Sequence, residues 1–86
     1  MTMGFPPTVL GLYLKSLFLG GAIHLDNTYY FGDIFKNATF FYDGGVLGFD
    51  ESNRIIECDL RLGPHVDRNS AAVGELITGF PWKTVF

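Results

Sequence analysis

The chain is predicted to be an α+β protein: a small, mainly antiparallel sheet, centred on a meander over residues 38–62, packed against one N-terminal helix. Two observations predict the sheet and one the helix. From Ile55 to Leu62, apolar and charged residues alternate, with Ile56, Cys58, Leu60 and Leu62 on one side and Glu57, Asp59 and Arg61 on the other. Upstream, the β-rich runs Ala38–Tyr42 and Val46–Phe49 are separated by turn signals at Asp43-Gly44-Gly45 and Asp50-Glu51-Ser52-Asn53. The helix is predicted over Thr8–Leu19, where Leu10, Tyr13, Leu14, Leu17 and Phe18 follow the i, i+3, i+4, i+7, i+8 rhythm. Thr8 would cap its start and Gly20-Gly21 its end.

Taken in order, Met1–Pro7 is a short lead stiffened by Pro6-Pro7 and lacking the positive start of an export signal. The helix reading of Thr8–Leu19 is preferred to a strand over Ser16–Leu25, in which Leu17, Leu19, Ile23 and Leu25 also alternate. Ala22–Leu25 and Thr28–Phe31 are expected as short strands, and Asp33–Asn37 as a loop or a single helical turn. The meander follows, stopped by Gly63-Pro64. His65–Asn69 is a polar loop. Ser70 would cap a short second helix near 70–78, with Ala72, Val73, Leu76 and Ile77 on one side and Gly79 as its stop. Gly74 weakens the helix, and Val73, Glu75 and Ile77 would alternate equally well as a strand. Trp82–Phe86 is expected as an edge strand. The punctuation and length argue for one compact domain over residues 1–86 without linkers or internal repeats.

The composition bounds the function. Of 86 residues, 48% are hydrophobic and 16% aromatic, but 17% charged, against roughly 25% charged in ordinary domains. So small a domain has a thin interior, and the apolar surplus predicts a partner surface, most simply a homodimer. The net charge is −3, and the six Lys and Arg are scattered. No basic stripe suits nucleic acid, and no apolar run is long enough to cross a membrane. The lone Cys58 is read as a small buried hydrophobe, which fits a reducing, cytoplasmic location. Asn37-Ala38-Thr39 matches a glycosylation acceptor and is read as chance. No cofactor fingerprint is present, and none is expected.

Two places are candidates for chemistry. His24-Leu25-Asp26 and His65-Val66-Asp67 repeat one pattern. In an extended chain each His shares a face with its own carboxylate. Converged, His24, Asp26, His65 and Asp67 would make an acid–base site, or His24 and His65 a metal site, in a small hydrolase-like enzyme. Glu57, Asp59 and Arg61 read as a solvated strand face. The aromatic runs are the second candidate. Alternation places Tyr29 and Phe31 opposite Tyr30, and Phe40 and Tyr42 opposite Phe41. Tyr29, Phe31, Phe40 and Tyr42 are the residues on which a small hydrophobic ligand would bind. The leading expectation is a non-enzymatic, self-associating interaction module. The metal-dependent or acid–base enzyme and the hydrophobic-ligand binder are its alternatives.

Overall fold

The computed structural model describes residues 11–86. Ten short strands and one helix follow in the order β1 (Gly11–Leu14), β2 (Leu17–Leu19), β3 (Ala22–His24), β4 (Thr28–Phe31), β5 (Ile34–Lys36), β6 (Thr39–Tyr42), β7 (Leu47–Phe49), β8 (Arg54–Ile56), β9 (Asp59–Leu62), α1 (Ala71–Thr78) and β10 (Thr84–Val85). They form three sheets, ordered β1-β4-β7, β2-β5-β8 and β10-β9-β6-β3. Each pairing is parallel, and within the three turns of chain the partners lie 17 to 20 residues apart, as Gly11 with Thr28 and Ile34 with Arg54. Every third strand thus stacks on the first. The chain winds as a three-sided parallel β-helix of three rungs.

This corrects the antiparallel meander. Hairpin turns would have made neighbours in sequence neighbours in the sheet. Here each strand ends at a bend that sends the chain to another face. The bends sit at left-handed residues in register: Lys15 (φ 51) and Gly32 (φ 65) at the first corner, and Gly20 (φ 75), Asn37 (φ 56) and Glu57 (φ 53) at the second. Glu57 therefore splits the supposed strand Ile55–Leu62 in two. Ile55 points inward and Ile56 outward, while Cys58 and Leu60 are buried beyond the bend. The successive rungs are also an internal repeat.

The N-terminal helix is likewise corrected: residues 11–19 form β1 and β2, and Thr8–Leu10 lie outside the described residues. Ile34–Lys36, within the segment expected as a loop or a single helical turn, is β5. The C-terminal helix is present. Ser70 accepts a hydrogen bond from the Val73 N–H at 3.2 Å, Gly79 N–H donates to Glu75 O at 2.7 Å, and Val73 and Leu76 are buried.

Inward side chains stack in columns, one residue per rung. Tyr13 stacks on Tyr30 (5.2 Å between ring centres) and Tyr30 meets Phe49 edge-on (6.0 Å). Phe18 stacks on Phe35 at 4.8 Å above Ile55, and Ile23, Phe40 and Leu60 form the third column. The strand spacing of a sheet, about 4.8 Å, suits ring-on-ring contact. Phe80 and Trp82 close the far end against Phe49 and Phe40, at 4.9 and 5.0 Å. The Trp82 indole donates to Leu76 O at 2.7 Å, tying this lid to α1.

Candidate functional site: a braced corner, an apolar face and a cleft at the capped end

The His-x-Asp pairs do not assemble as pairs. At the corner between the third sheet and the first, Asp26 accepts the Asp43 N–H (2.9 Å) and the Gly45 N–H (2.8 Å). Asp43 in turn accepts the His65 N–H at 3.0 Å, and its Oδ2 lies 2.8 Å from His65 Nδ1. Each carboxylate thus holds the backbone of the following rung. His65 pairs with Asp43, which sequence reasoning did not single out, rather than with Asp67. Asp67 accepts the Asn69 N–H in the next turn. His24 stands exposed on the outer face of β3, its ring stacked on Phe41 at 5.5 Å. The hydrogen bonds between His65 and Asp43 raise the imidazole above its usual pKa and lower the carboxyl. The register β6 to β9 could have revealed Asp43, but only once the parallel pairing was known.

A Cβ at Gly63 would overlap the Asp43 carboxylate. Gly44 takes φ 98, and a Cβ there would come within 2.8 Å of His65 O. The corner is thus fitted around its carboxylates with little spare room. Among the described residues, no group of three or more His, Cys, Asp and Glu gathers as a metal site.

The other corners are structural in the same way. Asp33 is fully buried; its Oδ1 accepts the Ser16 N–H at 2.6 Å, and its own N–H donates to Asn53 Oδ1 at 3.0 Å. The Asn53 amide donates to Tyr30 O at 2.8 Å. Burial first, then Tyr13 and Asp33 nearby, pushes the Tyr30 phenol up to about 12. Cys58 is buried, with its Sγ 3.5 Å from Phe35 O and 3.3 Å from Ile56 O.

The four aromatic candidates divide between inside and outside. Phe40 and Tyr42 are core residues, and Tyr42 donates to Gly45 O at 2.7 Å. Tyr29 and Phe31 are half-buried on the outer face of the first sheet, 6.0 Å apart edge-to-face. The Tyr29 ring covers Gly48 on the next rung, where a Cβ would collide with it. Of the charged strand residues, Glu57 is at a bend, Asp59 is half-buried, and the Arg61 guanidinium lies 4.5 Å over the Phe86 ring.

Two surfaces stand out that sequence reasoning did not locate. The first is the outer face of the β2-β5-β8 sheet. Its columns, read along the register, are Leu17–Ile34–Arg54 and Leu19–Lys36–Ile56. Leu17 is 62% exposed and Leu19 71%, with Leu14 at 60% on the adjoining corner. Outward leucines on an exposed face lower no free energy in the isolated molecule. The second is a cleft of about 570 Å³ between β7 and α1, lined by Leu47, Phe49, Leu76 and Phe80 with Asp50, Glu51 and Glu75. A smaller one of about 270 Å³ adjoins β8. Neither cleft is lined by the His–Asp corner or by Tyr29, Phe31, Phe40 or Tyr42.

No helix among the described residues is long and apolar enough to cross a membrane. The architecture and the two surfaces define a short parallel β-helix with a capped end. Comparison with protein-family models, with curated proteins and with solved structures finds no match to this chain.

Proposed function

We propose that the chain is a non-catalytic binding and assembly module that self-associates through the outer face of its β2-β5-β8 sheet. The observation that carries this reading is the exposure of Leu14, Leu17 and Leu19, extended by half-buried Ile34 and, across Lys36, by Ile56. A contiguous apolar patch on a water-facing sheet is the usual mark of an interface. A flat sheet face fits its own copy about a two-fold axis, two sheets packing about 10 Å apart. The stems of Lys36 and Arg54 extend the apolar contact while their charges reach water. The engagement of Asp26 and Asp43 with backbone amides favours a structural role for the corner over acid–base work. The buried free Cys58 accords with a cytoplasmic setting.

Light scattering of the purified chain at two concentrations tests the proposal. The wild type should give a dimer at both, or a mass that rises towards the dimer with concentration. The double variant Leu17→Glu, Leu19→Glu should give a monomer with unchanged circular dichroism. A wild-type monomer at both concentrations, or a folded double variant that keeps the dimer mass, would overturn it.

A further inference from the structure

We propose that the open edge of β7, facing the cleft beneath α1, binds an extended basic peptide segment of a partner protein as an added parallel strand. Three observations meet there. First, this end of the β-helix already accepts such a strand on another face. β10 pairs parallel to β9, with Thr84 opposite Asp59 and Val85 opposite Leu60. Lys83 N–H donates to Cys58 O at 2.7 Å and Phe86 N–H to Leu60 O at 2.9 Å.

Second, among the described residues β7 has no such neighbour, being the last strand of its sheet. Val46 turns back towards the preceding rung: its O accepts from Asn27 N–H and its N–H donates to Asn27 Oδ1, each at 2.8 Å. Backbone groups alternate in direction along a strand, so those of Leu47 and Phe49 face the open edge. An edge strand left open is a template for another chain.

Third, the space in front of this edge selects its occupant. The cleft of about 570 Å³ has an apolar floor of Leu47, Leu76 and Phe80 and a rim of Asp50, Glu51 and Glu75, and no Lys or Arg lines it. Asp50 accepts from the Ser52 N–H and hydroxyl. Among the described residues, the ion pair of His65 with Asp43 is the one salt bridge, so these three carboxylates have no cationic partner. A peptide laid along β7 would place an apolar side chain over Leu47 and, as β7 runs into Asp50 and Glu51, basic side chains against the rim. Charge-assisted hydrogen bonds would fix its register, and the main chain would supply affinity.

The probe is a synthetic acetylated peptide, Ala-Val-Thr-Val-Lys-Arg-amide, added to uniformly ¹⁵N-labelled protein. Binding should shift the amide signals of Leu47 to Glu51 and slow hydrogen exchange at Leu47 and Phe49. The variant Glu75→Lys, changed on the exposed side of α1, should weaken binding about tenfold or more. The same peptide with Glu in place of Lys and Arg should not bind. Absence of any shift at Leu47 to Glu51 up to about 1 mM peptide would overturn the proposal. So would equal binding of the acidic peptide, or shifts that leave the β7 amides untouched. Because β7 and the leucine face lie on different sheets, the mass of the protein can fail its own test without bearing on this one.

Discussion

Replacing Phe35 by alanine probes the β-helix at its centre. Phe35 is fully buried on the middle rung. Its ring stacks on Phe18 at 4.8 Å and meets Tyr30 at 5.4 Å, Phe40 at 4.7 Å and Phe49 at 5.6 Å. It therefore touches rings from all three rungs and all three sheets. Truncating a buried Phe costs about 3–5 kcal/mol, and more where the walls of the cavity cannot close. Here the walls are hydrogen-bonded strands above and below, so the upper part of that range applies. A domain of this length has about 4–13 kcal/mol of stability in all. Urea titration followed by circular dichroism should show the midpoint falling by about 2 M, for a slope near 2 kcal/mol/M. Phe41 is the matched control. It neighbours Phe40 in β6 but points outward, half-buried against His24. Phe41→Ala should cost less than about 1 kcal/mol. A Phe35→Ala loss below about 1 kcal/mol, or a Phe41→Ala loss as large as that of Phe35→Ala, would refute the stacked-column account of the core.

Gly63→Ala should destabilise by about 1–3 kcal/mol, read as a lower urea midpoint, because its Cβ would overlap the Asp43 carboxylate. Gly74→Ala should raise the melting temperature, corresponding to about 0.5–1 kcal/mol, since α1 leaves open space around a Cβ there. The pair of His65 and Asp43 gives a pH signature. The raised His65 pKa contributes stability present below the usual imidazole value and lost as pH rises through the raised one. The lowered Asp43 pKa contributes stability present above the usual carboxyl value and lost as pH falls through the lowered one. The melting-temperature difference between wild type and His65→Gln should thus be widest at about pH 4–6.5. It should shrink in 1 M salt, because the pair is exposed. A difference independent of pH would show that the ion pair stabilises nothing.

Local pattern was legible in the sequence and partnership was not. Alternation separated Tyr30 from Tyr29 and Phe31, and Phe41 from Phe40 and Tyr42, but did not tell which of the two sets faces inward. Tyr29 and Phe31, grouped with Phe40 and Tyr42 as one ligand surface, lie outside, while Phe40 and Tyr42 lie in the core. The capped pattern at Ser70–Gly79 marked α1, although alternation fitted a strand there equally well. A period of two tells which side a residue faces and says nothing of which strand lies beside it. The repeat was obscured by its corners. The first two rungs are 17 residues apart, but extra residues at Gly44 and around Glu51 lengthen the next offset to 19 or 20. The columns preserve shape rather than identity, as Ser16, Asp33 and Asn53 show at one corner. The false N-terminal helix has a related cause. In the first rung both sides are apolar, Tyr13 and Phe18 heading the columns of stacked rings and Leu14, Leu17 and Leu19 outside, with the bend at Lys15 shifting the alternation. That mixture mimics a helical rhythm. Of the candidate site residues, the same shifts hid that Asp43 would stand between Asp26 and His65.

The near-constant offset between paired strands also bears on how the chain reaches this structure. Sheet proteins usually fold slowly because their strands must find partners far along the chain. Here each rung closes a loop of 17 to 20 residues onto its predecessor, and the entropy of closing such a loop varies only with the logarithm of its length. No single closure is harder than another. The second rung needs only the first as a template, and the third only the second, so the structure can be wound in the order in which the chain is synthesised. The segment with α1, Phe80 and Trp82 emerges after the third rung and covers the rings of Phe49 and Phe40. Until it does, the growing end is an unsheltered edge, and that interval is when misassembly between nascent chains would be most costly.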